Sequence, residues 1–257
     1  MDEDWAEQLN IVAGEGEVDD VRAFLEMGAD PNARDPEDMR WTPLHYAVFN
    51  DRPEIVDVLL QHGAHTEPLC QGETPLHKAV WNVRILCAEL LLASGANVNA
   101  IAGVEAREIQ RGRTPLQCLI SAPMARTPLG ARCADLLIAA GADVSSAAYR
   151  TEFNTPPKTP LLMAVDEGHR QLAKIFLKAG ASAKLSHWDR PLLLRDREPW
   201  KATLRLVDAV AAAGSWKLYV AEHRRVIAGV VCACARVPFP LDAAGNVVEF
   251  LYPPGGY

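Results

Sequence analysis

Apolar residues recur across most of this sequence as paired short runs, each with the three-and-four spacing of one helix face. Residues 74–99, TPLHKAVWNVRILCAELLLASGANVN, show the unit. Leu76, Ala79 and Val80 make one stripe, and Cys87, Ala88, Leu90, Leu91 and Leu92 make a second. Thr74 stands where a hydroxyl can cap the first turn, Pro75 fits the first helical position, and Gly95 can take the left-handed conformation that closes a helix. The pattern predicts two short antiparallel helices.

The closing glycine recurs at Gly28, Gly63, Gly95, Gly141 and Gly180, with Gly214 as an isolated sixth, at spacings of 35, 32, 46, 39 and 34 residues. Thr42, Thr74 and Thr159 each precede their closing glycine by 21 residues, so three units are intact. The first unit keeps Leu9, Val12, Ala13, Gly16, Val21, Phe24 and Leu25 but opens with Glu7 and Gln8, as a terminal unit with one uncovered face should. The fourth carries Gln117 where others carry histidine and holds about six extra residues, SAPMARTPLGAR, whose Pro123 and Pro128 are expected to stop any helix there. The fifth puts Leu162 at the histidine position, and the sixth is recognisable by Pro191, Leu192, Leu206, Val207, Val210 and Gly214.

The TPLH opening and GADVN-type ending, at a period near the ~33 residues of that family, resemble the ankyrin repeat over residues 5–214. The fold class implied is all-α: an ankyrin-repeat solenoid of stacked helix-turn-helix units with β-turn fingers, closed by a C-terminal helical tail. The expected units are about 5–32, 41–66, 73–99, 113–145, 158–182 and a degenerate 190–214, with residues 215–257 as a capping or recruiting tail. The resemblance makes His77 a buried brace bonded to backbone of its own or the next repeat. It also implies a protein partner bound on a concave face of fingers and first helices.

Composition narrows the function classes. The 257 residues are 49% apolar and 23% charged, which is ordinary globular material. Net charge is −7, and residues 1–40 hold 13 acidic against 3 basic residues, leaving 20 against 23 elsewhere. Without a clustered basic stripe, nucleic acid is not an expected partner. The longest apolar or small run, residues 226–235, is half of what a bilayer span needs, and the acidic start MDEDWAEQLN does not read as a secretory signal. An intracellular protein, cytoplasmic or nuclear, is expected, with no membrane partner. Cys87 and Cys133 fall in the apolar register and Cys70 and Cys118 lack close cysteine partners, so all four read as thiols. Cys232 and Cys234 form a CxC near His223 without a second ligand pair, so no metal is expected. No phosphate loop, GxSxG, HExxH or CxxC pair occurs; no catalytic residue and no cofactor is assigned, and the chain reads as non-enzymatic.

In the tail, Trp216, Tyr219, Val220, His223, Ile227, Val230 and Val231 share one helical face, suited to covering the last repeat. An alternative is that Val237-Pro238-Phe239-Pro240 and the closing VVEFLY resemble a SOCS box, which implies elongin and cullin subunits and a ubiquitin-ligase substrate receptor. That family places a leucine and a small residue four positions apart well before the proline motif, whereas here Cys232 and Cys234 crowd against Val237.

The repeat register selects the candidate partner-binding residues. The position before each Thr-Pro gives Trp41, Glu73, Arg113 and Lys158, and the two positions after each Ala-Val give Phe49 and Asn50, Trp81 and Asn82, and Asp166 and Glu167. Trp41, Phe49 and Trp81 occupy places where polar groups are usual, so they either anchor a partner or pack between neighbouring fingers. The long fingers at 99–113, with Arg107, Arg111 and Arg113 against Glu105 and Glu108, and at 145–158, with Tyr149 and Phe153, are left without a role.

Overall fold

Proline sets where most of the helices begin. In the computed structural model it holds the first position of α3 (Pro43–Phe49), α4 (Pro53–Gln61), α5 (Pro75–Trp81), α7 (Pro115–Ile120), α8 (Pro128–Ala139) and α9 (Pro160–Asp166), where its missing donor costs no hydrogen bond. The remaining helices are α1 (Asp2–Glu15), α2 (Val18–Glu26), α6 (Ile85–Ala93), α10 (Arg170–Lys178) and α11 (Glu198–Ala213). The structure describes residues 2–35, 41–107, 110–147, 158–183, 198–217 and 219, and the chain divides into two compact units, Met1–Pro160 and Leu161–Tyr257.

In the first unit the helices pair as α1/α2, α3/α4, α5/α6 and α7/α8; first helices pack on first helices and second on second. Leu9, Leu44, Leu76 and Leu116 from the one row, and Val21, Val56, Cys87 and Cys133 from the other, lose all exposure between them. A fully buried leucine contributes about 2 kcal/mol, and no pair can bury its stripe alone, so the pairs stack. Burial pushes the Cys87 and Cys133 thiols up to about 12, which keeps them protonated. Between the rows, Cys70 and Glu73 exchange both backbone bonds at 2.9 Å across a finger, the one bridge pair among the described residues, which hold no strand.

One expectation is corrected. Pro128 does not end a helix but starts α8, because Thr127 caps it, its hydroxyl accepting from Gly130 N–H at 3.2 Å and donating to the Met124 carbonyl at 2.7 Å. A Cβ at Gly130 would stand 2.6 Å from that carbonyl oxygen, so glycine is what lets the inserted turn fold back on the helix.

In the second unit α10 packs on α11, with Leu172, Ala173 and Phe176 of the one and Leu206, Val207 and Val210 of the other buried. Lys178 lies over the Trp216 ring at 6.0 Å. Tyr149, Phe153, Pro191, Leu192 and the tail from 220 on, including His223, Cys232, Cys234 and Val237-Pro238-Phe239-Pro240, lie outside the described residues. No described helix is long and apolar enough to cross a membrane.

Candidate partner-binding surface

The first helices α5 and α7 are fixed by a brace that reaches into the next repeat. The Thr74 backbone N–H and hydroxyl lie 3.4 and 2.9 Å from His77 Nδ1, and the opposite ring nitrogen lies 3.1 Å from the Arg113 carbonyl oxygen. Only a ring with an accepting Nδ1 and a donating Nε2–H satisfies both, so His77 is neutral. Burial pulls its pKa from 6.5 down to about 4. His45 makes the same contact with Thr42 at 2.9 Å and faces the Glu73 carbonyl, although its Nε2 falls short of a hydrogen bond; burial takes it to about 3. Gln117 does the same work without a ring: its Oε1 accepts from Thr114 N–H at 3.0 Å and its Nε2 donates to the Ser146 carbonyl at 2.7 Å.

A second set of ties joins the fingers. Asn32 donates to the Gly63 carbonyl and accepts from His65 N–H at 2.7 Å, and Asn99 repeats both bonds with Gly141 and Asp143. Glu67, at the equivalent place, supplies the acceptor half alone, to Asn97 N–H at 2.9 Å. Arg84 reaches Asp51 at 3.1 Å, and Arg52 likewise donates to the Gly16 carbonyl one repeat earlier.

On this frame the aromatic residues gather. The Trp41 ring lies 5.0 Å from Tyr46, 5.4 Å from Phe49 and 6.0 Å from His45, with Lys78 Nζ 5.6 Å from its centroid. Tyr46 donates to Asp35 at 2.7 Å. Trp41 is half-buried, Phe49 is 44% exposed, Asn50 is exposed, and Asn82 is half-buried with its amide donating to the Lys78 carbonyl. A Cβ at Gly14 would stand 3.0 Å from the Asn50 amide, so α1 closes tightly against this end of α3. Trp81 is half-buried under the Arg107 guanidinium, 5.9 Å from the ring centroid.

Two of the residues that the register selected are not on this surface. Glu73 is 1% exposed because its carboxylate pairs with Lys78 at 2.5 Å beneath Trp41, and Arg113 is 7% exposed because it donates to Ser121 Oγ at 2.9 Å. The position before Thr-Pro offers its carbonyl to the preceding brace, and that draws these side chains inward. Lys158 is half-buried in the first unit; in the second, Asp166 is half-buried and Glu167 exposed. Lys78, Tyr46 and Arg107 were not selected. Among the described residues no cluster of metal-ligating side chains occurs.

A family model, ankyrin repeats in three copies, matches residues 9–102. Over 49 residues the chain is 51% identical to the 2-5A-dependent ribonuclease of Mus musculus, 19% of this chain and 6% of that protein. Over 47 residues it is 45% identical to Protein fem-1 homolog A of Rattus norvegicus, 18% of this chain and 7% of that protein. The chain therefore spans less than a tenth of the length of these curated relatives. The braced helix pairs and finger ties begin within this matched stretch, and residues 9–102 are ankyrin repeats.

Proposed function

We propose that this chain is a non-enzymatic binding module whose protein partner docks on the first-helix and finger side of its first unit, at Trp41, Phe49, Asn50, Trp81 and Asn82. Ankyrin repeats generally mediate protein–protein interaction, and this face carries the aromatic groups that supply binding energy at interfaces. The observation that carries the reading is Phe49, 44% exposed at the rim of a ring cluster in which Trp41 is half-buried. Glu73 and Arg113 support the surface from beneath; Lys158 in the first unit and Asp166 and Glu167 in the second are proposed as separate polar contacts. The partner is a protein rather than a nucleic acid or a membrane, and the compartment is intracellular.

A photo-cross-linking residue placed in turn at Phe49, Trp81 and, on the outer side of α6, Leu86 tests this. Leu86 is 59% exposed and so is equally reachable. One partner labelled from 49 and 81 and not from 86 is the expected result; labelling from 86 alone would refute the assignment. Elongin and cullin subunits recovered only when residues 215–257 are present would support the ubiquitin-ligase alternative, which rests on the tail sequence.

A further inference from the structure

The finger that precedes α7 contains an outer turn, residues 101–107, that the core does not need. Ile101 and Val104 are 67% and 78% exposed, the two most exposed large apolar side chains among the described residues. Only the small Ala102 and Ala106 are buried on this turn, yet its backbone is tied across to two neighbouring segments. Gly103 N–H donates to the Gly72 carbonyl at 2.7 Å, Ala106 N–H to the Gly103 carbonyl at 3.1 Å, and Ala102 N–H to the Arg113 carbonyl at 2.9 Å. Gly72 has φ +71°, and a Cβ there would stand 2.6 Å from the Ala106 nitrogen, so two backbones meet where no side chain fits. Ala106, 2% exposed, pegs the turn down, and the next residue is Arg107.

Arg107 is exposed, rests on the half-buried Trp81 ring, and forms no ion pair among the described residues. Cation–π attraction holds the guanidinium beside the indole, and its fork of N–H donors matches a carboxylate through two hydrogen bonds. A cation held beside a ring and two aliphatic groups carried on a tied backbone lower the ordering cost of binding.

We infer that residues 101–107 are a preformed docking finger for a protein segment in which an aspartate or glutamate neighbours one or two large apolar residues. The carboxylate pairs with Arg107 and the apolar side chains cover Ile101 and Val104. Glu105, exposed on the same turn, repels a carboxylate and so directs it to the Arg107 side. A phosphate could meet the same guanidinium, but exposed aliphatics have no counterpart on a polyanion backbone, and the chain carries a net charge of −7. The inference deepens the protein-binding reading and rests on it.

The test is selection of a random-peptide library displayed on phage against the immobilised full chain, followed by fluorescence anisotropy with the enriched peptides. Enriched sequences should place Asp or Glu next to Leu, Ile, Phe or Trp. Arg107→Ala, and separately Ile101→Ser with Val104→Ser, should weaken them by about tenfold or more, and Arg107→Glu should select Lys or Arg in place of the acid. All of these positions are exposed, so an unchanged melting temperature is the control. Peptides lost on Phe49→Ala but indifferent to the finger variants would overturn the docking finger and leave the protein-binding reading standing. No enrichment by folded protein would overturn both. A short single-stranded RNA bound with the same Arg107 dependence would overturn the choice of a protein segment.

Discussion

Replacing His77 by glutamine should leave the fold intact and remove one proton from acid unfolding. Gln117 already makes both bonds of the brace, cap and cross-repeat, at 3.0 and 2.7 Å, so the substituted side chain has a working precedent one repeat away. What changes is titration. His77 in the folded chain protonates near 4 and in the unfolded chain near 6.5. A folded pKa below the unfolded one means that this stability is fully present above pH 6.5 and is lost as pH falls from there toward 4. At about 1.4 kcal/mol per pH unit for one proton, the loss across that window is about 3 kcal/mol. His45, lowered to about 3, adds the same slope over the same window. Urea unfolding at pH 7, 6 and 5, followed by circular dichroism, gives the slope, and the carboxylate background is common to wild type and variant. The histidine part of the slope should fall by about half in His77→Gln, with stability at pH 7 within about 1 kcal/mol of wild type. An unchanged slope would refute the buried neutral imidazole, and a loss of about 3 kcal/mol at pH 7 would refute the equivalence of the two braces.

Three further outcomes follow from the same frame. Asn10 sits 35 residues before His45, as Gly28 sits before Gly63, and both of its amide atoms are buried without a partner. Asn10→His should therefore supply the missing brace and raise stability by about 1 kcal/mol, read as a higher melting temperature. Glu67→Asn should add the absent donor to the Gly95 carbonyl and gain up to about 1 kcal/mol in urea unfolding, where a neutral result would mean that the tie is already satisfied by water. Gly72→Ala meets both a left-handed φ and the Ala106 nitrogen at 2.6 Å, so it should cost about 2 kcal/mol or more, while Gly28→Ala, with open space around its Cβ, should cost about 1.

The helix pairs were legible because their causes are local. Thr-Pro openings, apolar stripes and closing glycines fix each element from residues only a few positions apart, and Gly28, Gly63 and Gly95 do take positive φ. Pro128 was misread because a proline that ends one helix can equally begin the next, and the hydroxyl of Thr127 decides which. The proposed binding face was legible in part. Phe49 and Asn50 are exposed as their register position requires, but the register fixes where a Cα lies, not which way a long side chain turns. Glu73 turned inward because Lys78 and Trp41 were there to enclose it, and Arg107 reached Trp81 only through a finger whose path depends on two glycines meeting across repeats. Such contacts between distant residues leave no periodic trace.

The cross-repeat ties also make the first unit a row of links of unequal strength. The link from the first pair to the second has both bonds of Asn32 but no brace, since Asn10 reaches nothing. That from the second to the third has half of the finger tie, through Glu67, and an imperfect His45 brace. Between the third and fourth, both bonds of Asn99 and the complete His77 brace are in place. In a stack stabilised by nearest-neighbour coupling, opening starts where coupling is least. By these ties coupling is least between the second and third pairs, so α1 to α4 open together and opening is arrested at α5; amide protons of α5 and α7 outlast those of α1 and α3 in hydrogen exchange, and the fingers around Arg107 and Trp81 stay ordered while the acidic front of the chain breathes.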